Sequence, residues 1–410
     1  MAKQSVLLLE AFGNVGEVIV DAIRAEGYRV AVATHRDIFD SYPERLRNKI
    51  DVPVFVDFAS QNVRGDLTKA AREHAAAGVI TGCEFLTALT GEVAADLGLP
   101  GNDLALASAA RNKWHMAQVF HDAQVSHAAT VHATSLKGLS HQIDANGLDY
   151  PIVVKPVENA GSVGVRVVND PFELATAVKE AQAWPLEFPH GIPLDSSVIA
   201  QSYVGGQEYS VESLAAGGNI RHLTITEKIT TRGNFRAETR HTVPARLDER
   251  ARERLLGETT KALCALGFRN GAAHTEVKLW NGRPWIIESG LRPAGDHIVK
   301  LVTLATGVDF ARSYVHVATG HDLPSVGPAQ RHASVRFVIP ERAGRVVSAP
   351  HFGPKPGVVE SAVLVSEGDE IKGVANNVSR LAYIIATADN RDELDARLEA
   401  AVRNVRVIVE

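Results

Sequence analysis

The sequence predicts a protein of mixed α/β class, with α/β and α+β parts, and about three domains. Residues 5–34 run from a short apolar stretch through a helical pattern into a second apolar stretch, which is typical of a βαβ unit. Residues 197–292 alternate as strands separated by turns. A Pro/Gly-rich stretch at 323–328 then precedes a segment that alternates like antiparallel strands.

The composition restricts the partners. The chain has 410 residues, of which 45% are hydrophobic and 22% charged, as in ordinary soluble proteins. A net charge of -5 gives no reason to expect a nucleic acid or an anionic membrane as partner. No signal-peptide pattern and no apolar run of about 20 residues occurs, so we expect a cytoplasmic protein. Cys83 and Cys264 lie in apolar contexts, and we expect both to be free, buried thiols.

Residues 1–100 are predicted to form an N-terminal Rossmann-like domain. Gly13 and Gly16 shape the turn before its first helix, where a helix N-terminus could receive a phosphate. The full Gly-x-Gly-x-x-Gly fingerprint is missing, and the second strand runs into His35 and Arg36 rather than an acid. We therefore interpret this turn as structural.

A glycine-rich loop follows a strand that ends in Lys155. Its residues Gly161, Ser162 and Gly164 lead into a second strand, and such a loop can donate backbone N–H groups to phosphates. The lysine would add a point charge to the same oxygens. No helix with Gly-Lys-Ser/Thr follows, so this is not the Walker motif, and a plain hairpin remains the alternative. Asp170 is predicted to cap a helix over 171–182.

The next strands carry scattered polar residues. Residues 197–212 are predicted as strand, bend and strand, where the backbone after Tyr203 could hold an adenine and Glu208 a ribose; a surface hairpin is the alternative. Glu238 and His241 stand three apart on a predicted strand, a spacing that splits their side chains between the two faces. Asp248 begins an amphipathic helix that ends at Ala265.

The stretch 274–292 carries the strongest local signal. Asn281-Gly282 between two alternating runs predicts a β-hairpin, with Glu276 on one strand and Glu288 on the other. A two-residue turn alone would place these acids on opposite faces, whereas a three-residue loop or a bulge brings them to one face, diagonal to each other. We predict the longer loop or a bulge. The acids could then hold hard cations and, through them, phosphates, and Arg292 could bind phosphoryl oxygens. A solvated hairpin is the alternative.

The remaining elements are predicted from the same signals. Residues 293–297 lead into two helical segments that end at Gly320. After the linker come antiparallel strands, a loop at 353–357, a helix at 391–403 and a last strand. The predicted domains are therefore 1–100, 101–325 with a smaller subdomain at about 130–200, and 326–410.

In this order the parts resemble the ATP-grasp superfamily, in which two α/β subdomains clamp ATP. The resemblance implies an ATP-grasp architecture with an N-terminal Rossmann-like domain, a two-subdomain ATP clamp and a C-terminal mixed β/α domain. Within the superfamily the chain is similar to bacterial L-amino-acid ligases of the bacilysin type, essentially over its whole length. The phrases that carry this are Val154-Lys155-Pro156, Gly161 to Val165, Gln201 to Glu208, Glu238-x-x-His241-x-x-Pro244, His274-Thr-Glu276-Val-Lys-Leu and Ile287-Glu288-Ser-x-x-Arg292-x-Ala-Gly295.

The resemblance also implies roles for individual residues. Those that would bind ATP are Lys113, Lys155, Gly161, Ser162, Gly164, Gln201, Tyr203, Val204 and Glu208. Those that would bind magnesium are Glu276 and Glu288, and the catalytic set is Arg292, Lys155 and Glu288. Those that would line the amino-acid site are Glu238, His241, His274 and Asp296.

Three departures from the family pattern matter. Gln201 stands where many relatives have an acid that contacts the adenine amino group, and an amide can accept that hydrogen bond too. Gly290 stands where many have a metal-binding Asn, which leaves one or two magnesium ions open. Asp296 stands where these ligases can carry a bulky side chain, and it could receive a cationic group or simply cap a helix.

The resemblance implies an ATP- and magnesium-dependent carboxylate–amine ligase, with Mn²⁺ as a substitute ion. It would join two amino acids, or an amino acid and a related acid, through an acyl phosphate, giving ADP and phosphate. Its partners would be small carboxylate and amine substrates, with a homodimer as in similar proteins. Two alternatives remain open: another ATP-grasp branch, biotin-carboxylase-like or purine-pathway, or a nucleotide-binding module without catalysis.

Overall fold

The computed structural model describes residues 3–340, 342–348, 352, 356–371, 377, 380–403 and 408–409. Residues 353–355 of the predicted loop lie outside the described residues. The strands are β1 Ser5–Leu9, β2 Arg29–Thr34, β3 Val52–Phe55, β4 Ala76–Thr81, β5 Thr130–Ala133, β6 Ile152–Pro156, β7 Arg166–Val168, β8 Val198–Ser202, β9 Gln207–Ala216, β10 Asn219–Thr230, β11 Glu238–Val243, β12 Gly271–Trp280, β13 Arg283–Gly290, β14 His332–Val338, β15 Gly344–Ser348, β16 Val358–Val363, β17 Glu370–Ile371, β18 Ala382–Ala388 and β19 Ile408–Val409.

The helices alternate with these strands in the N-terminal half and connect groups of strands in the rest of the chain. They are α1 Gly13–Ala25, α2 Arg36–Ser41, α3 Glu44–Arg47, α4 Val63–Glu73, α5 Thr87–Asp96, α6 Lys113–Asp122, α7 Leu136–Ala145, α8 Leu174–Ala181, α9 Glu249–Ala265, α10 Ile298–Thr306, α11 Phe310–Ala318 and α12 Arg391–Val402.

The N-terminal part is a parallel four-stranded sheet in the order β3-β2-β1-β4, as its βαβ pattern predicts. The turn between β1 and α1 has a structural role. A Cβ on Gly16 would lie 2.2 Å from the carbonyl oxygen of Ala11, so only glycine permits this approach. The carboxylate of Glu10 accepts the N–H groups of Ala11 and Phe12 at 2.8 and 2.7 Å. Those donors are therefore satisfied within the protein.

A second four-stranded sheet, β5-β8-β6-β7, is antiparallel and forms a small layer. Residues Leu139 and Ile143 of α7 and Leu174 and Val178 of α8 share a buried core with Val154 of β6. Asp170 accepts the backbone N–H groups of two residues at the helical turn before α8, which confirms the predicted cap. This layer presents the loop between β6 and β7 to the rest of the chain.

The central sheet has eight strands in the order β13-β12-β9-β10-β11-β14-β18-β16. The β12–β13 hairpin lies at one end, and strands from the C-terminal segment extend the other. Helix α9 supplies Leu255 and Ala262 to a core shared with Val211 and Val277 of the sheet. Helix α10 packs through Leu301 and Ala305 against Val243, Val335 and Ile385. The opposite orientation of alternate residues leaves polar side chains along the inner strands.

The predicted domain boundaries near 100 and 325 fall in connections, after α5 and after α11, and the division itself stays a prediction. In the described part of the chain, no helix is both long and apolar enough to span a bilayer. The prediction for one cysteine is wrong. Cys264 is exposed, because it lies on the solvent side of α9, while Cys83 is only partly buried.

Candidate active site

The β12–β13 hairpin combines a two-residue turn with a bulge. Trp280 pairs with Arg283 across Asn281-Gly282, so the predicted three-residue loop is wrong. The register shifts between Glu276 and Val277, and Glu276 then lies directly opposite Glu288 rather than diagonal to it. Positive φ angles of 51° and 71° at the two turn residues match a type I′ turn. The predicted bulge is therefore present, and it brings both acids to one face.

Nearly all the predicted site residues line one cavity of about 280 Å³. It lies where the β6–β7 loop, the β8–β9 bend and the polar face of the central sheet meet. Every residue for which the sequence analysis predicts a role lines it, except Gly164 and His241. Gly164 packs behind the loop, where an added Cβ would lie 3.1 Å from the Cα of Ala181 in α8. His241 is fully buried beneath the cavity.

Two lysines converge on the acids of the hairpin. Lys113 is the first residue of α6, which Asn112 caps. Its Nζ lies 2.9 Å from Glu288 Oε1 and donates to the carbonyl of Asn159 at 2.7 Å. Lys155 is 5% exposed, and burial lowers its pKa to about 8 although the charge of Glu288 opposes this. Two ammonium groups beside a helix N-terminus favour a polyanion.

The glycine-rich loop between β6 and β7 and the bend between β8 and β9 form further walls of the cavity. The Ser162 hydroxyl donates to the carbonyl of Arg236 at 3.3 Å, which ties the loop to the segment before β11. Arg236 also donates to the Tyr203 hydroxyl at 3.1 Å, and Lys278 donates to the carbonyl of Val204 at 3.1 Å. Gln201 donates to the Thr130 hydroxyl at 2.9 Å, so its amide oxygen remains available as an acceptor.

A buried lysine that the sequence analysis missed lies on the cavity floor. Lys228 Nζ is 2.5 Å from Glu276 Oε1 and 3.7 Å from Glu208 Oε1, and it contacts Glu238 Oε1 more closely still. Burial lowers the pKa of Lys228, but the three carboxylates outweigh burial and raise it well above its usual value. Burial raises the pKa of Glu238 to about 7.

A second buried acid, Glu212, orients His274. The imidazole Nδ1 lies 2.9 Å from Glu212 Oε2, and its Nε2 lies 3.6 Å from Glu276 Oε1. Burial lowers the pKa of His274, yet these carboxylates raise it to about 9. The charged imidazole and Lys228 therefore approach the same oxygen of Glu276.

A second bulge brings together residues that were predicted to line the amino-acid site. The register of β11 shifts between Ile229 and Thr230 of its partner strand, and His241 Nε2 then lies 3.6 Å from Glu238 Oε2. The expectation that the spacing would place these two side chains on opposite faces is therefore wrong. Asp296 lies 3.2 Å from the same imidazole nitrogen.

Asp296 does not cap a helix. The N-cap of α10 is His297, whose side chain makes no cap hydrogen bond. Instead, Arg380 from the C-terminal segment donates to both oxygens of Asp296, at 2.6 and 2.7 Å. Burial raises the pKa of Asp296, and the bonds from His241 and Arg380 outweigh it and hold the pKa well below its usual value. The carboxylate is thus anionic and already paired on one side.

Glu84, in the short 3-10 helix after β4, also lines the cavity, and the sequence analysis did not identify it. Arg292 forms a short ion pair with it. A Cβ on Gly290 would lie 3.0 Å from Glu84 Oε2, so a larger residue at 290 would push this carboxylate away. The glycine at 290 therefore has a local steric reason.

A sequence signal existed for the missed residues of the central sheet. Polar residues recur at every second position in Glu208-x-Ser210-x-Glu212, Thr226-x-Lys228 and His274-x-Glu276-x-Lys278. On paired strands this alternation places them on one face. Lys228 faces Glu208 across β10 and β9, and Glu212 faces His274 across β9 and β12.

Comparison with known proteins relates two parts of the chain to known families. Residues 148–300 match the ATP-grasp domain family, and residues 336–410 match the L-amino acid ligase C-terminal domain 2 family. The chain is 27% identical to alanine–anticapsin ligase of Bacillus subtilis over 314 residues, which cover 71% of this chain and 65% of that enzyme. The match therefore spans slightly less than two thirds of that relative's length.

Two solved structures share the fold. The L-amino acid ligase from Bacillus licheniformis superposes with a TM-score of 0.82, at 21% identity, over 100% of both chains. The biotin carboxylase domain of 2-oxoglutarate carboxylase from Hydrogenobacter thermophilus, crystallised with MgADP and bicarbonate, gives 0.73 at 16% identity over 100% of this chain and 92% of that one. The two family matches show that this chain contains an ATP-grasp domain and a C-terminal domain of the L-amino acid ligase type, and the relatives that it resembles include ATP-dependent ligases that act on amino acids.

Proposed function

We propose that this enzyme joins the carboxylate of one amino acid to the amine of a second amino acid or related compound, with ATP as the energy source. The observation that supports this most is a cavity lined by two chemically distinct groups of side chains. Lys113 and Lys155 form the group that suits a polyphosphate, and Glu238 and Asp296 belong to the acidic group. Amino-acid substrates bring ammonium groups that an acidic group can bind.

The hairpin acids fit a hard divalent cation. Glu276 and Glu288 are opposite one another and present carboxylate oxygens, the ligands that magnesium prefers. Lys228 and His274 both approach Oε1 of Glu276, so the proposed ion would bind through Oε2. When bound there, magnesium would neutralise phosphate charge. The MgADP in the biotin carboxylase relative supports this assignment.

The reaction needs two bond exchanges. A carboxylate oxygen of the first substrate attacks the γ-phosphorus of ATP, the bond to ADP breaks, and an acyl phosphate forms. The amine nitrogen of the second substrate then attacks the acyl carbon, phosphate leaves, and the nitrogen loses a proton. The protein contributes position and charge: Lys113 and Lys155 bind phosphate oxygens, and Arg292 steadies the acyl phosphate.

Closure of the glycine loop would exclude water, which would otherwise hydrolyse the acyl phosphate. The Ser162 bond to Arg236 and the contact of the Gly161 carbonyl with the Asn377 N–H at 3.4 Å are the points that would fasten it. Gly161 and Ser162 have φ angles of 64° and 60°, so the loop already holds an unusual conformation.

The test is a matrix of amino-acid pairs assayed for ATP-dependent phosphate release, with mass spectrometry of the products. We expect release that requires both members of a pair, and a product lighter than their sum by one water. Release that responds to bicarbonate alone would contradict the proposal and favour the carboxylase-like branch. Absence of release with every pair, together with ADP binding, would favour a nucleotide-binding module.

A further inference from the structure

Lys228 is a fully buried cation that none of the proposed steps uses. Its side chain is 2% exposed, and its Nζ lies within 3.7 Å of carboxylate oxygens of Glu208, Glu238 and Glu276. These three acids, here called the acidic trio, come from three strands, β9, β11 and β12. Lys228 pairs with Glu208 across β10 and β9, so the backbone register fixes its direction.

Without the lysine, the acidic trio would have the composition of a metal site. One oxygen from each carboxylate lies within 4.8 Å of the others. Several convergent carboxylate oxygens are what a hard divalent cation takes. Three convergent carboxylates that are buried or half-buried are strongly unfavourable without a cation, so this floor of the cavity requires a positive charge. In this chain an ammonium group supplies it.

We propose that Lys228 is a positioning residue, a built-in cation that fills the acidic trio and keeps divalent metal out of it. The inference deepens the proposed function, because Glu276 belongs both to the trio and to the proposed magnesium pair. With the trio filled, a divalent ion is confined to the side of Glu276 that faces Glu288. Lys228 also holds Glu238 in place in the acidic group of the cavity.

The test is the number of Mn²⁺ ions that the full chain binds without nucleotide, counted by the loss of the free-ion signal in electron paramagnetic resonance. Lys228→Met should bind one more Mn²⁺ per chain than the wild type, because the trio loses its resident cation. Lys228→Arg keeps the charge and should gain none. Glu238→Gln in the Lys228→Met background should remove the extra ion. An unchanged count in Lys228→Met, or an extra ion that survives Glu238→Gln, would overturn the proposal.

Two further variants separate this inference from the proposed function. Lys278→Met removes another ammonium of the cavity, one that bonds to the Val204 carbonyl, and should gain no ion. Glu288→Gln in the Lys228→Met background should bind one more Mn²⁺ than Glu288→Gln alone, because Glu288 is outside the trio. Loss of the extra ion there would show that it occupies the proposed magnesium pair and would contradict the role of Lys228.

Folding of the variant can be checked independently. Circular dichroism and a thermal melt should show that Mn²⁺ raises the melting temperature of Lys228→Met more than that of the wild type, since the ion replaces the ammonium. Should Lys228→Met be unfolded in chelator, Mn²⁺ should restore its fold, and Lys228→Gln should behave in the same way. Equal effects of Mn²⁺ on wild type and both variants would contradict the inference.

Discussion

His190 fastens the segment between α8 and β8 to the N-terminal sheet, and its removal should change how stability depends on pH. Its Nε2 lies 2.7 Å from Glu10 Oε2, and its Nδ1 lies 2.9 Å from Glu187 Oε2. The side chains of all three residues are at most 3% exposed. Both ring nitrogens therefore face carboxylates, which only the charged imidazolium can satisfy as a donor.

The size of the effect follows from the pKa of His190. Burial lowers this pKa, but the hydrogen bonds and charges of Glu10 and Glu187 raise it to about 9. An unfolded histidine has a pKa of about 6.5. Because the pKa of His190 is higher in the folded protein, its contribution to the free energy of unfolding is fully present below about pH 6.5 and is lost as the pH rises through 9. Between pH 7 and pH 9 the free energy of unfolding should therefore fall by about 2 kcal/mol through this group.

The assay is urea unfolding of wild type and His190→Gln at pH 7 and pH 9. Wild type should be less stable at pH 9, whereas the variant should be less stable than wild type at pH 7 and should lose about 2 kcal/mol less than wild type between the two pH values, since His274 contributes equally to both proteins. His141→Gln, at an exposed site on α7, serves as the control and should follow wild type. A His190→Gln protein with the wild-type loss of stability between pH 7 and 9 would refute this reasoning.

The other predictions concern the cavity. Glu288→Gln should lower kcat by about 100-fold or more and leave the circular dichroism spectrum unchanged. Glu253→Gln, at an exposed position, should leave kcat unchanged. Wild-type turnover in Glu288→Gln would contradict the metal assignment. The KM for ATP should rise as pH passes about 8, where Lys155 loses its proton, and Lys155→Arg should flatten that rise; a KM independent of pH would count against the phosphate role. Gly206→Ala should weaken ADP binding and lower the free energy of unfolding by about 1–3 kcal/mol in calorimetry. The reason is that the new Cβ would lie 2.1 Å from the Leu279 carbonyl oxygen, at a residue with a φ of 82°. A variant with unchanged stability and ADP binding would contradict that geometry.

Local signals in the sequence predicted the hairpin but not its register. Asn281-Gly282 specified the turn because both residues adopt positive φ at low cost. The bulge beside Glu276 lies in a strand that also pairs with β9, a contact that the hairpin sequence alone does not contain. The same holds for Glu238 and His241, where an irregular pairing with β10 overrides the strict alternation of a strand.

Residues that act across long sequence separations were harder to find. Glu84 lines the cavity from the turn after β4, and Arg380 from the C-terminal segment bonds to Asp296; nothing near either residue in the sequence marks it. Lys228 was within reach, because Thr226-x-Lys228 shows the period-two polar pattern of an inward face. The pattern alone does not predict that Lys228 is buried, since an isolated lysine on a strand is usually solvent-exposed.

The most direct test of the account is the position of Mn²⁺ in crystals of the protein grown with Mn²⁺ and ADP. The anomalous signal should appear between the carboxylates of Glu276 and Glu288, within coordination distance of both and of the nucleotide phosphates. Manganese bound elsewhere, with these two carboxylates turned away from the nucleotide, would contradict the claim that the hairpin acids hold the metal for phosphoryl transfer.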